Sequence, residues 1–186
     1  MSSEKQSIPK LESSRLQLRA PEPEDLELLY NWENNTPTWL VSNTLAPFSK
    51  FVLRQYLETA HRDIFESKEL RLMIDLRTAK NPVTTIGTID MFDYDPLHMR
   101  AGIGILIAAD QNRRQGYAYE ALQMIDDYAF NILQLHQLYC NIPENNIASL
   151  NLFQKAGYEI IGIKKEWIRL GQQWLDEYML QQFNPY

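Results

Sequence analysis

Leu16 and Leu18 alternate with Arg15, Gln17 and Arg19, the period of a strand with one buried face. Pro21 and Pro23 end that strand, and Glu22, Glu24 and Asp25 suit the first turn of a helix running to Asn31. Phe51, Val52, Gln55, Tyr56 and Leu57 fall at helical spacing, which predicts a second helix with Ser49 as its N-cap. From Leu70 the period drops to two: Leu70, Leu72, Ile74 and Leu76 alternate with charged or polar residues, Met73 excepted. Asn81-Pro82 predicts a turn, and Val83 to Phe92 is β-branched and apolar. Ala101 to Ala108, rich in isoleucine, predicts a strand buried on both faces. Three successive strands on short connections predict an antiparallel meander.

A long amphipathic helix follows. Ala118, Ala121, Leu122, Ile125, Tyr128, Ala129, Ile132 and Leu133 recur at three- and four-residue steps, leaving Glu120, Gln123, Asp126 and Asp127 outside. Leu138 to Ile142 predicts a short strand and Ala148 to Ala156 a short helix closed by Gly157. Tyr158 to Arg169 and Gln173 to Phe183 predict a terminal hairpin. This mixed order is α+β with a single large sheet. Residues 1–12 read as a flexible tail ahead of one domain over residues 13–186.

Composition narrows the function classes. With 186 residues, 45% of them hydrophobic and 23% charged, the chain can bury a core unaided, and disorder throughout is excluded. The longest apolar run, Ala101 to Ala109, is glycine-broken and far short of the roughly 18 residues a membrane span needs. Met1 to Lys10 lacks the apolar stretch of a secretory leader. Cys140 has no cysteine partner and reads as buried filler. With His61, His98 and His136 it makes no metal-ligand spacing, so no metal is expected and a reducing cytoplasm fits. A net charge of −6 argues against nucleic acid and suits a cationic substrate. Self-association, if present, is expected as a homodimer, the commonest soluble oligomer.

The chemistry concentrates in Asp110-Gln111-Asn112-Arg113-Arg114-Gln115-Gly116-Tyr117-Ala118, which joins a buried strand to the long helix. The first N–H groups of a helix have no intrahelical partner and, with the positive end of the dipole, form an anion site. Gly116 lets a pyrophosphate approach the backbone, Ala118 avoids crowding it, and Arg113 and Arg114 add positive charge. A capped helix start with arginines is the competing explanation. A two-glycine dinucleotide fingerprint and a Gly-Lys-Ser/Thr phosphate loop are both absent.

Arg113, Gly116 and Ala118 resemble the R/Q-x-x-G-x-G/A signature of the GNAT acetyltransferases. Thirty residues on, Asn146, Ser149, Leu152, Lys155 and Gly157 resemble that family's second signature, N-x-x-S-x-x-L-Y-x-K-x-G-F. The resemblance spans about Leu16 to Leu180 and leans toward the ribosomal-protein and bacterial spermidine N-acetyltransferases. It implies a mixed, mostly antiparallel central sheet flanked by helices. It further implies that acetyl-CoA is the acyl donor, its pyrophosphate held by Arg113, Arg114, Gln115, Gly116, Tyr117 and Ala118. The backbone of Ile105, Leu106 and Ile107 would hold the amide arm, with Asn146, Ser149 and Lys155 beside it.

Transfer to an amine requires the amine to lose a proton. At pH 7 a lysine-like amine is roughly 1 part in 2,500 neutral, a handicap of about 4.6 kcal/mol. Asp90 and Asp93 fall where the spermidine branch places acidic residues and are the candidate bases and acceptor contacts. On an ideal strand they face opposite ways, so one alone faces the cleft unless a bulge intervenes. Glu33 is a further candidate for the acceptor pocket, and Trp39, Phe48 and Tyr94 are candidate walls or simply core. Phe153 stands where the family commonly has a tyrosine acid. Catalysis then runs without that acid, or Tyr158 or Tyr139 supplies it, or the protein binds acyl-CoA with weak turnover. The expected activity is N-acetylation of a small-molecule amine, a polyamine foremost, or of a peptide N-terminus. A weakly catalytic acyl-CoA-binding or sensory protein is the alternative.

Overall fold

The computed structural model describes residues 11–37, 39, 44–60, 62–77 and 83–185. The expected Asn81-Pro82 turn, His61 and the first ten residues lie outside them. Leu11 and Glu12, assigned to the tail from sequence, are anchored. Leu11 packs against the core and its carbonyl accepts from the Leu18 N–H, while Glu12 pairs with Arg77 at 2.9 Å.

The strands are β1 (Leu16–Arg19), β2 (Leu70–Leu76), β3 (Thr84–Asp95), β4 (Arg100–Ile107), β5 (Gln137–Pro143), β6 (Glu159–Leu170) and β7 (Gln173–Phe183). The helices are α1 (Leu26–Glu33), α2 (Lys50–Thr59), α3 (Ile64–Ser67), α4 (Tyr117–Asn131) and α5 (Ile147–Lys155). One seven-stranded sheet runs β1-β2-β3-β4-β5-β7-β6. Every neighbouring pair is antiparallel except β4 with β5. The meander β2-β3-β4 and the terminal hairpin are therefore both present, and α4 makes the one parallel crossover.

The alternation in β2 has a structural consequence. Leu72 and Ile74 join the main core with Leu16, Leu18, Ile89, Ile103, Leu122 and Ile125. Met73 points the other way and is fully buried with Leu29 of α1 and Leu53 and Leu57 of α2. The exception to the period marks the second face of the sheet, which those two helices cover. A short 3₁₀ turn, Pro23–Asp25, precedes α1. There Asp25 is more than a first-turn charge: its buried carboxylate accepts from the Glu22 N–H and takes both Nη atoms of Arg19 at 2.7 and 2.8 Å. Ser49 caps α2 as expected, accepting from the Val52 N–H. The short helix α3 was not anticipated; four residues carry too little periodicity to see.

Three expectations need correcting. Asp126, expected on the outer face of the long helix, is buried. β4 is not buried throughout: Ala101, Gly102, Ile103 and Ile107 are buried, but Gly104, Ile105 and Leu106 are half-buried because the sheet opens beside them. β3 runs on past Phe92 to Asp95 through a register break, with Asp93 at φ 50°. Among the described residues no helix is long and apolar enough to cross a membrane.

Candidate active site

The parallel pair β4/β5 is hydrogen-bonded only from Arg100, Ala101 and Gly102 to Gln137, Leu138 and Tyr139. Beyond Gly102 the two strands part, and among the described residues the β5-facing edge of Ile103–Ile107 has no strand partner. Gly102 is required where they part, since a Cβ there would meet the Phe92 ring at 2.2 Å. The gap opens into a cavity of about 550 Å³. Gly104, Ile105 and Leu106 line one wall, Asn141 and Pro143 of β5 the other, and Trp167 and Ile168 of β6 close one side. An open sheet edge is a ready template for an extended, amide-bearing ligand.

At the far end of β4 the chain enters the glycine turn. Gly116 is the N-cap of α4 and sits at φ 82°, a left-handed conformation that a β-carbon disfavours. The first helical hydrogen bond runs from the Glu120 N–H to the Gly116 carbonyl, which leaves the earlier N–H groups of the helix open to an anion. Arg113 is not a mobile charge. Its Nε donates to the Ile107 carbonyl at 2.9 Å, its Nη2 to that of Ala108 at 3.2 Å, and Nη1 pairs with Asp110 at 2.7 Å. It therefore ties the strand end to the turn, while exposed Arg114, at φ 59°, has no such tether among the described residues.

Arg15 buttresses the turn from β1's side, which the sequence did not suggest. Its Nε donates to Glu120 at 2.7 Å, its Nη1 to the Gln115 carbonyl at 3.2 Å, and its guanidinium lies 5.2 Å from the Tyr117 ring centroid. Lys155 reaches across from α5 to lie 4.5 Å from the ring centroid of Tyr119. Asn146 caps α5, its Oδ1 accepting from the Ser149 N–H at 3.2 Å, and lines a neighbouring cavity of about 270 Å³. The two cavities share Pro143 and Ile168. The structure thus brings both signature segments to the same end of the sheet as the β4 edge.

The other part of the main cavity is acidic. Glu33, Glu69, Asp90 and Glu177 all line it. Arg71 lies between two of them: Nε and Nη2 engage the Asp90 carboxylate at 2.7 and 3.1 Å, and Nη1 engages Glu33 at 2.7 Å. Burial works against the charge on Arg71, but Asp90 and Glu33 outweigh it and hold the guanidinium above its ordinary value. Glu177 pairs with Lys164 at 2.8 Å, and exposed Glu69 has no ion pair among the described residues. Tyr56 also lines the cavity, and burial pushes its hydroxyl up to about 12.

Asp93 and Tyr158 are not brought to this cavity. The register break turns Asp93 into a separate pocket with Asp95, Arg100 and Tyr139, where it accepts from the Tyr139 hydroxyl at 3.1 Å. Tyr158 is 2% exposed, and its hydroxyl donates to the buried Asp126. Neither tyrosine proposed as a substitute acid therefore has a free hydroxyl beside the β4 edge. Phe153 is 3% exposed and packs edge-on to Tyr158, with ring centroids 5.0 Å apart. Of the candidate wall aromatics, Phe48 packs with Leu29 and Met73, Tyr94 is buried in the main core, and the Trp39 indole donates to the Glu33 carbonyl. Trp32, Tyr56 and Trp167 line the cavity instead. Sequence missed these, and it missed Arg71, whose one signal was its place on the polar side of the β2 alternation. Among the described residues no cluster of three or more His, Cys, Asp or Glu is arranged to hold a metal.

The open β4 edge, the glycine-capped helix and the carboxylate-lined cavity together have the form of an acyl-CoA acyltransferase site. The acetyltransferase (GNAT) domain family matches residues 15–159, and the chain belongs to that family of acetyl-CoA-dependent enzymes. The spermidine N(1)-acetyltransferase of Vibrio cholerae serotype O1 is 28% identical over 149 residues, 78% of this chain and 80% of that protein. The spermidine N(1)-acetyltransferase of Escherichia coli strain K12 is 25% identical over 150 residues, 79% and 74% of the two chains. The crystal structure of the Vibrio cholerae spermidine N-acetyltransferase in complex with CoA and spermine superposes with a TM-score of 0.80. It covers 92% of this chain and 97% of that one at 24% identity, a likeness of fold.

Proposed function

We propose that this chain transfers an acetyl group from acetyl-CoA to a primary amine of a small cationic acceptor, polyamines among them. One observation carries the reading: a single cavity joins the unpaired edge of β4 to four carboxylates, so donor and cationic acceptor can meet in one space. The naming of the Vibrio cholerae and Escherichia coli relatives for spermidine acetylation supports it. In this reading the pyrophosphate lies on the open N–H groups at Gly116, Tyr117 and Ala118, with Arg114 and Gln115 at its rim. The amide arm runs along Ile105, Leu106 and Ile107, between them and Asn146, Ser149 and Lys155. One domain carries the activity, and it includes the anchored Leu11 and Glu12. Buried, unpaired Cys140 suits a reducing cytoplasm.

The chemistry is direct attack, without a covalent enzyme intermediate. The acceptor ammonium gives its proton to a carboxylate or through water. The neutral nitrogen then attacks the thioester carbonyl, the C–S bond breaks as the thiolate leaves, and the nitrogen gives its second proton to water. A thiol near the ordinary cysteine value of about 8.5 leaves readily and takes its proton from water, so Phe153 is compatible with turnover. Deprotonation is the larger demand. Asp90 has both oxygens engaged by Arg71, so it attracts and positions; Glu69 lines the same cavity, has no ion pair among the described residues, and is the better-placed acceptor of the proton. Asp93 and Tyr158 are left out of the catalytic set on the geometry above.

A second reading, an acyl-CoA-binding protein of weak turnover, is favoured by Phe153 alone. Thiol release from acetyl-CoA across a panel of amines and N-terminal peptides separates the possibilities. The expected result is turnover with amines well above that with peptides. CoA-dependent thermal stabilisation without thiol release from any acceptor would establish the binding protein instead.

A further inference from the structure

Arg71 stands directly opposite Asp90 in the β2–β3 ladder, so its place in the cavity is set by strand register. Its guanidinium is held by both oxygens of Asp90, by Glu33, and by the Tyr56 ring, whose centroid is 5.5 Å from Cζ. Two carboxylates and an aromatic face around a cation is the chemistry by which proteins hold an ammonium or guanidinium ligand. Here the cation is the chain's own. The three charged side chains are 22–28% exposed and line the cavity, so a ligand entering it meets them.

Lys164 cancels Glu177, and Arg71 cancels one of Glu33 and Asp90. Glu69 has no ion pair among the described residues, so the cavity keeps two uncompensated negative charges. Without Arg71 it would keep three. We propose that Arg71 is a specificity-determining residue that fills one cation subsite of the acceptor cavity from within the protein. The chain then selects a dicationic acceptor, a diamine, over tri- and tetra-amines. This presupposes the amine acetylation proposed above.

The test is kcat/KM at saturating acetyl-CoA and low salt for 1,4-diaminobutane, spermidine and spermine. Wild type should prefer the diamine. Arg71→Ala should raise the spermidine-to-diamine ratio on the order of tenfold, the size of one charge-assisted hydrogen bond. Millimolar guanidinium should return that ratio toward wild type by refilling the cage, and Arg71→Lys should keep the wild-type order. If Arg71→Ala loses its melting transition, Arg71→Gln is measured in its place, and the wild-type ranking decides by itself whether a diamine is preferred. A wild type that favours spermidine or spermine, or a folded Arg71 variant with an unchanged ratio, overturns the proposal while leaving amine acetylation standing. Wild type that acetylates no amine removes both.

Discussion

The Tyr158 hydroxyl donates to the Asp126 carboxylate at 2.7 Å, and both side chains are buried between α4 and the start of β6. Burial pushes the Asp126 carboxyl up to about 7, and the hydrogen bond from Tyr158 draws it only partly back. The same burial, with the carboxylate alongside, holds the Tyr158 hydroxyl well above its ordinary value. This pair is structural, and it carries a stability cost that depends on pH.

For Asp126 the folded-state value lies above the ordinary 3.8. Below 3.8 the group is protonated folded and unfolded alike and contributes no pH dependence. Between 3.8 and about 7 the unfolded chain gives up the proton first, so stability falls as pH rises, and it levels off above 7. The loss is about 1.4 kcal/mol for each pH unit in that window. Asp126→Asn keeps an acceptor for Tyr158 and removes the charge. Denaturant melts of both proteins should show the variant gaining on wild type steadily from pH 4 to pH 7. A difference independent of pH sinks this account of Asp126.

Phe153→Tyr should not repair a missing acid. The ring is 3% exposed against Tyr158 and lines no part of the main cavity, so an added hydroxyl is buried without an evident partner. Melting temperature should fall, consistent with a cost of about 1–3 kcal/mol. Turnover should stay well short of the roughly hundredfold gain that a restored general acid would give. Steady-state kinetics beside a thermal melt measure both, and a hundredfold rise in kcat would show that the side chain reaches the leaving sulfur.

Arg15 should act on the donor alone. Its bonds to Gln115 and Glu120 hold the turn that contains Gly116. Arg15→Ala should raise KM for acetyl-CoA and leave KM for the amine unchanged. Gly116→Val, strained at φ 82°, should abolish the melting shift that CoA produces. Should Arg15→Ala raise both KM values together, the residue supports the whole domain instead of the turn.

The two aspartates of β3 should separate cleanly. Asp90→Asn weakens the hold on Arg71 and should raise KM for the amine, most at low salt, where exposed charges are least screened. Asp93→Asn, facing another pocket with Tyr139, should leave amine KM and the acidic limb of the pH profile as in wild type. Equal effects from the two would place the acceptor across both pockets.

The sequence by itself determined the order of the strands and of the helices other than α3. Period-two and helical spacing marked those strands and helices to within a few residues, Ser49 announced its helix, and Gly116 announced the start of the long one. Those signals are local, fixed by backbone sterics and by which face of a single element meets water. Only the tertiary structure decided the acceptor side. Arg71 meets Asp90 because the β2–β3 ladder has one register, including an irregularity between Ile74 and Asp75 that no local period contains. Asp93 leaves the cavity because of a register break two residues before β3 ends, and the Tyr158 hydroxyl is held away from the cavity because Asp126, 32 residues earlier, takes it. Charge partners and side-chain direction belong to contacts between distant segments, and they exist only once the sheet has chosen its pairing.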